Sequence, residues 1–339
     1  MNKKRKWLVY SIKILVPVVL LSIIFSRVDP GGVVHQILNA HTGYFLASIV
    51  VGFGFQIVGG AWRWRYFLVK VYGIRIPYPW ILKHYWTGMF LGYFVPGHLG
   101  WDAYRMVAAN RRVNTPLVHA TVILLEKIVG LFSCFVLIIF SYPFVAGSLA
   151  GTGQVQPFLD YLYALSVLGL LSALGLLLVK KKSVALIRWI ESKIHSLGSR
   201  LFRDFDPSGE RDVLLRGLAG FIDPSTAFCL WGSSLFIRSA SAIGGYLVLR
   251  ALDQDISVMI NFFAVPLMMF MIMVPLSFGG IGVREGIFIV VYGLFGIPAA
   301  ISLAASYLGL IGLLLTISVG GVIMVWNNLV SERKSGRII

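Results

Sequence analysis

The chain has 339 residues, 58% of them hydrophobic and 13% charged, with a mean hydropathy of +0.82. Soluble domains carry about twice that share of charge, so the composition excludes a soluble globular enzyme and a disordered chain; two cysteines, Cys134 and Cys229, exclude a disulfide scaffold. The 30 Lys and Arg outnumber the 14 Asp and Glu for a formal charge of +16, an excess that in so apolar a chain reads as basic loops on the cytoplasmic side of a membrane and not as nucleic-acid binding.

The chain opens on a basic cluster, Lys3 to Lys6, followed by an apolar run over 7–25 interrupted only by Lys13. Ile24-Phe25-Ser26 is no small-x-small cleavage site, so the run is expected to be an uncleaved first helix. A second span is expected over 44–62, long enough for about 30 Å of hydrocarbon. The stretch 80–110 is apolar but broken by Phe94-Val95-Pro96-Gly97-His98-Leu99-Gly100-Trp101-Asp102, with Arg105 one turn further on. His98 in this break has the titration range of a proton carrier.

The next spans are expected over 117–142, with Glu126 and Lys127 near mid-depth, and over 158–179. The polar stretch 180–223 follows. Ile187, Ile190, Ile194, Leu197 and Leu201 recur in it at helical spacing among basic residues, as in a helix lying on an anionic leaflet. A span over 225–249 carries Arg238 at its centre. A second broken segment, 257–297, contains Val274-Pro275-Leu276-Ser277-Phe278-Gly279-Gly280-Ile281-Gly282, then Arg284 and Glu285. The last span is 298–326.

Of the 30 basic residues, 24 fall before the first span, at 63–83, 105–112 and 180–216, or after residue 326, whereas only Arg27 and Arg250 fall on the opposite side. This asymmetry puts both termini in the cytoplasm. Segment 80–110 then enters from the cytoplasm and 257–297 from outside. The expected fold is an all-α polytopic membrane protein, a single transmembrane domain over 1–339. It has about six full spans and two oppositely directed broken, re-entrant hairpins, arranged like an inverted repeat.

Charged groups at bilayer depth cost about 2.5–3.5 kcal/mol each on insertion scales and face the bundle interior. Three acids (Asp102, Glu126, Glu285) and four bases (Arg105, Lys127, Arg238, Arg284) concentrate at the breaks or at mid-depth. Helix starts at such breaks offer free N–H groups to anions. Asp102 equally suits a helix cap, and Arg238 or Lys127 is the expected partner of Glu126. Zinc-ligand spacing, a phosphate loop and a nucleophile elbow are all missing, so no catalytic, metal or cofactor residues are expected.

Four motifs carry a resemblance. The 94–105 sequence resembles the Pro-Gly…Gly-Gly-Asp-x-x-Arg signature of the lysylphosphatidylglycerol synthase transmembrane-region family, also called flippase-like domain proteins. Val274-Pro275-Leu276-Ser277…Gly280-Ile281-Gly282-Val283-Arg284-Glu285 is similar to its second signature. Leu125-Glu126-Lys127-Ile128-Val129-Gly130 resembles its acid-base helix motif, and Trp62-Arg63-Trp64-Arg65 its aromatic-arginine stretch. Trp101 stands where the family usually has glycine, and Glu-Lys where it has Asp-Arg. The sequence ends at Ile339, without the soluble aminoacyl-transferase domain of the family's bifunctional members, so the resemblance implies the lipid-translocating half.

The expected function is a lipid translocator of the plasma (bacterial cytoplasmic) membrane, handling an anionic or other phosphate-bearing lipid. Its expected lipid-contacting residues are Pro96, Gly97, Gly100, Asp102, Arg105, Glu126, Lys127, Arg238, Pro275, Ser277, Gly280, Gly282, Arg284 and Glu285. Its partners would be membrane lipids with anionic head groups and a separate lipid-modifying enzyme. An intramembrane transferase on a lipid or polyprenyl-phosphate carrier, with Asp102 or Glu285 as base, and a proton-coupled solute transporter are the competing classes.

Overall fold

The computed structural model describes residues 21–94, 99–149, 156–178, 213, 216–220, 223–272 and 282–334. Every regular element among them is helical. Apolar helices follow from the medium: without water to bond them, backbone N–H and C=O groups must be satisfied within the segment.

Helix α1 (Pro30–Leu38) starts at Asp29, whose carboxylate accepts from the N–H groups of Gly31 and Gly32. Helix α2 (Thr42–Tyr72) contains a π-helical stretch at Ile49–Gly54 and ends at Gly73, in the left-handed region at φ 70°. The helix therefore runs ten residues past the end of the expected span 44–62, and Arg63 belongs to the same helix and not to a loop. The first broken segment forms α3 (Tyr78–Tyr93) and α4 (Leu99–Arg112). Helices α5 (Pro116–Val145), α6 (Gln156–Leu178) and α7 (Pro224–Ala251) lie over the next three expected segments, 117–142, 158–179 and 225–249. The second broken segment forms α8 (Val258–Ile272) and α9 (Val283–Gly293), and α10 (Ala299–Lys334) closes the chain.

Among the described residues, three stretches are both long and apolar enough to cross a membrane: Thr42–Tyr72, Pro116–Val145 and Ala299–Trp326. The four helices of the broken segments have 16, 14, 15 and 11 residues. At ~1.5 Å per residue they are roughly 17–24 Å long, shorter than the hydrocarbon layer. Within each segment the two helices pack on one another. At Gly92 a Cβ would stand 2.6 Å from the Trp101 backbone nitrogen, so α3 and α4 approach as closely as they do only because that position has no side chain.

Two apolar cores result, one towards each end of the bundle. One gathers Trp64, Phe67, Leu68, Ile81 and Val122 from α2, α3 and α5. The other gathers Leu249, Phe263, Ile287, Tyr292 and Leu303 from α7, α8, α9 and α10. Helices α5, α7 and α10 contribute to both and so tie the ends together. Of the expected first span only 21–25 belongs to the described residues, and of the basic stretch 180–223 only 213, 216–220 and 223.

Candidate functional site

Helix α4 follows the first break, and its period of 3.6 puts Asp102 and Arg105 on one face. Arg105 is 3% exposed and Glu126, on α5, 4%. The Arg105 Nη2 donates to Glu126 Oε2 at 2.5 Å, a charge-assisted bond between two buried groups. The other Glu126 oxygen receives Arg63 Nε from α2 at 3.4 Å, and Arg63 Nη1 donates to Ser234 Oγ on α7 at 2.7 Å. Lys127 Nζ lies 2.6 Å from Asp102 Oδ2, and Arg105 Nη1 is 3.9 Å from Asp102 Oδ1. Four helices thus meet in one charged network.

Aromatic rings enclose its centre. The Arg105 guanidinium carbon lies 4.5 Å from the ring centre of Trp64, 4.9 Å from that of Tyr85 and 5.7 Å from that of Trp101. Such faces stabilise a cation through the ring quadrupole, most strongly where water is excluded. Arg105 Nε and the indole N–H groups of Trp64 and Trp101 are buried without a hydrogen-bond partner among the described residues.

A second polar group sits at the start of α9. Gly282 adopts φ 79°, a left-handed conformation that favours glycine. Its N–H donates to Glu285 Oε2 at 2.6 Å, closing the helix start. The other Glu285 oxygen receives Arg284 Nη2 at 2.5 Å, and Arg284 Nε donates to Ser306 Oγ on α10 at 3.1 Å.

The expected residues therefore divide. Asp102, Arg105, Glu126 and Lys127 come together, with Gly100 at the start of the same helix α4; Gly282, Arg284 and Glu285 form the second group. No hydrogen bond or ion pair joins the two groups among the described residues. Arg238 is not the partner of Glu126: Arg63 and Arg105 take both carboxylate oxygens, and Arg238 Nη1 donates to Met269 Sδ at 3.2 Å instead. Lys127 turns to Asp102. Pro96, Gly97, Pro275, Ser277 and Gly280 lie outside the described residues, as does His98.

Arg63, Trp64, Tyr85, Ser234 and Ser306 were not among the expected site residues. Arg63 had a signal, the aromatic-arginine stretch, but lay among residues assigned to a basic loop. Ser234 and Ser306 had none, since a serine on an apolar helix is ordinary.

The described residues of the four motifs occupy defined places: 99–105 in α4, 282–285 at the start of α9, 125–130 in α5 and 62–65 in α2. Residues 9–321 match the family described as the lysylphosphatidylglycerol synthase TM region. The chain belongs to this family. The match runs through both polar groups and helices α1 to α10, as far as residue 321 of α10. Membership makes this an integral membrane protein of a lipid-related family. No curated protein matches the chain.

Proposed function

We propose that the protein moves a phosphate-bearing lipid, of anionic head group, between the leaflets of the membrane. The observation that carries this reading is the buried network at α2, α4, α5 and α7, where Arg63, Arg105 and Lys127 share two carboxylates and three further donors are unpaired. Donors outnumber acceptors in an apolar bundle, an arrangement complementary to an anion. The family description names lysylphosphatidylglycerol, a phosphate-bearing lipid.

In this reading Asp102 and Glu126 keep the cations in place when no lipid is bound, and a phosphate competes for their hydrogen bonds as it passes. No covalent bond is made or broken, so neither acid acts as a base. Both termini face the cytoplasm, and the two broken segments are re-entrant hairpins that meet from opposite sides, as inverted repeats do. A separate enzyme would supply or use the translocated lipid.

The test is reconstitution into liposomes with a fluorescent phospholipid in both leaflets and a quencher added outside. Wild type should expose inner-leaflet lipid faster than empty liposomes, and Arg105→Gln should slow this by about tenfold or more, as the loss of a charge-assisted bond predicts. Equal rates for protein-free and protein-containing liposomes with every phosphate-bearing lipid tried would end this reading.

A further inference from the structure

Arg238 is a cation for which the described structure provides no acid. It lies half-buried on α7, with no carboxylate within ion-pair distance among the described residues, and its one hydrogen-bond acceptor is the thioether of Met269 at 3.2 Å. A thioether is a weak acceptor. An unpaired guanidinium at this depth is costly unless something neutralises it. Room has been left for it: a Cβ at Gly130 of α5 would stand 3.1 Å from Arg238 Nη2. Ser234, one turn before Arg238 on α7, receives Arg63. Arg238 therefore borders the network without being paired within it.

Beside it opens a cavity. Met269 and Ser241, the latter one turn beyond Arg238 on the same face, line a space of about 170 Å³ between α2, α7, α8, α9 and α10. Its walls are mostly apolar and small, with Gly52 from the π-helical stretch, Gly244 and Gly309 among them. A cavity of this size and lining holds apolar groups better than water. A strong cation that bonds to the lining residue Met269, with an apolar slot beyond that side chain, matches a phosphate with a hydrocarbon part attached.

We propose that Arg238 binds the phosphate of a phospholipid head group, with apolar atoms next to that phosphate entering the cavity beyond Met269. This deepens the lipid reading and rests on it for the source of the phosphate. The guanidinium presents a planar fork to phosphate oxygens, and the bound anion supplies the countercharge that the described structure does not.

Calorimetric binding to the purified full chain in detergent would use four probes: dihexanoyl-phosphatidylglycerol, dihexanoyl-phosphatidylcholine, dihexanoylglycerol and inorganic phosphate. Wild type should bind the two phospholipids, phosphatidylglycerol the tighter, and bind dihexanoylglycerol much more weakly. Arg238→Gln should weaken phosphatidylglycerol binding roughly tenfold to hundredfold, and Arg238→Lys should fall between. Arg250→Gln, at the far end of α7, should leave binding unchanged. Without ligand, Arg238→Gln should melt no lower than wild type, because it removes a charge that no acid among the described residues pairs; a lower midpoint would make the residue structural and overturn the proposal.

Equal phosphatidylglycerol binding by wild type and Arg238→Gln overturns it too, as does failure of wild type to bind any probe. If inorganic phosphate binds as tightly as phosphatidylglycerol, the lipid part is overturned and a free anion is the ligand. Arg238-dependent binding without movement in liposomes would keep this site and end the translocation reading. Movement in liposomes with Arg238-independent binding would do the reverse.

Discussion

The two polar groups contain the same chemistry, an arginine beside a glutamate just after or near a broken segment, and they are built in opposite ways. At α9 the partners are neighbours. Arg284 meets Glu285, Glu285 caps its own helix at Gly282, and among the described residues only Ser306 comes from another element. At α4 the partners are distant: Arg105 and Glu126 are 21 residues apart, Arg63 and Glu126 63, and Arg63 and Ser234 171. The first group is a local cap that happens to be charged. The second is a tertiary joint between four helices.

This difference predicts unequal responses to removing one charge. Glu126→Gln takes from Arg63 its carboxylate and leaves Arg105 only the more distant Asp102, and breaking a buried pair in this way costs about 3–5 kcal/mol. Its melting midpoint in detergent should fall furthest of the variants considered, and a double variant Glu126→Gln/Arg105→Gln should recover part of the loss. Strictly additive losses would show that the two charges do not share a site.

Glu285→Gln removes a charge-assisted cap but leaves an amide oxygen able to accept from Gly282, so it should cost about 1–3 kcal/mol. Pairing it with Glu126→Gln should give an additive result, because the two groups share no contact. Coupling between them beyond about 0.5 kcal/mol would merge the two groups into one. Lys127→Gln should do less, below about 1 kcal/mol, since Lys127 is half exposed and solvent screens its pair with Asp102.

The smallest effect sharpens the contrast between local caps and tertiary joints. Asp223, at the exposed start of α7, accepts from the Ser225 and Thr226 hydroxyls and the Thr226 N–H. These bonds hold its carboxyl near pH 2, against an ordinary value near 4. A lowered value in the folded state means stability that is full above about pH 4 and lost as pH falls through about 2. The gap in melting midpoint between wild type and Asp223→Asn should therefore be constant at neutral pH and close between those limits. A gap that does not change with pH would show that the cap does not depend on charge.

Much of this was legible in the sequence because it is local. The helices flanking the two Pro- and Gly-rich sequences and the buried positions of Glu126 and Arg105 follow from composition along the chain, and the four motifs carried the family. Arg63 shows where that legibility stopped. Hydropathy averages over a window and ended the second span at 62, whereas the helix runs on to Tyr72. Adjacent residues of the Trp62-Arg63-Trp64 stretch then point differently: Trp62 is 40% exposed and Trp64 fully buried. Which face points inward depends on neighbours that no window contains.

The sequence by itself determined that the chain is helical and built for a membrane, and that costly charges sit where the helices break. Those properties depend on each segment's own apolarity and backbone chemistry, which the solvent reads directly. Only the tertiary structure decided the pairing: that Glu126 holds Arg63 and Arg105, that Lys127 turns to Asp102, and that Arg238 is left beside an apolar cavity. A charge within an apolar helix accepts any opposite charge that packing brings within reach, and packing is set by where whole helices cross.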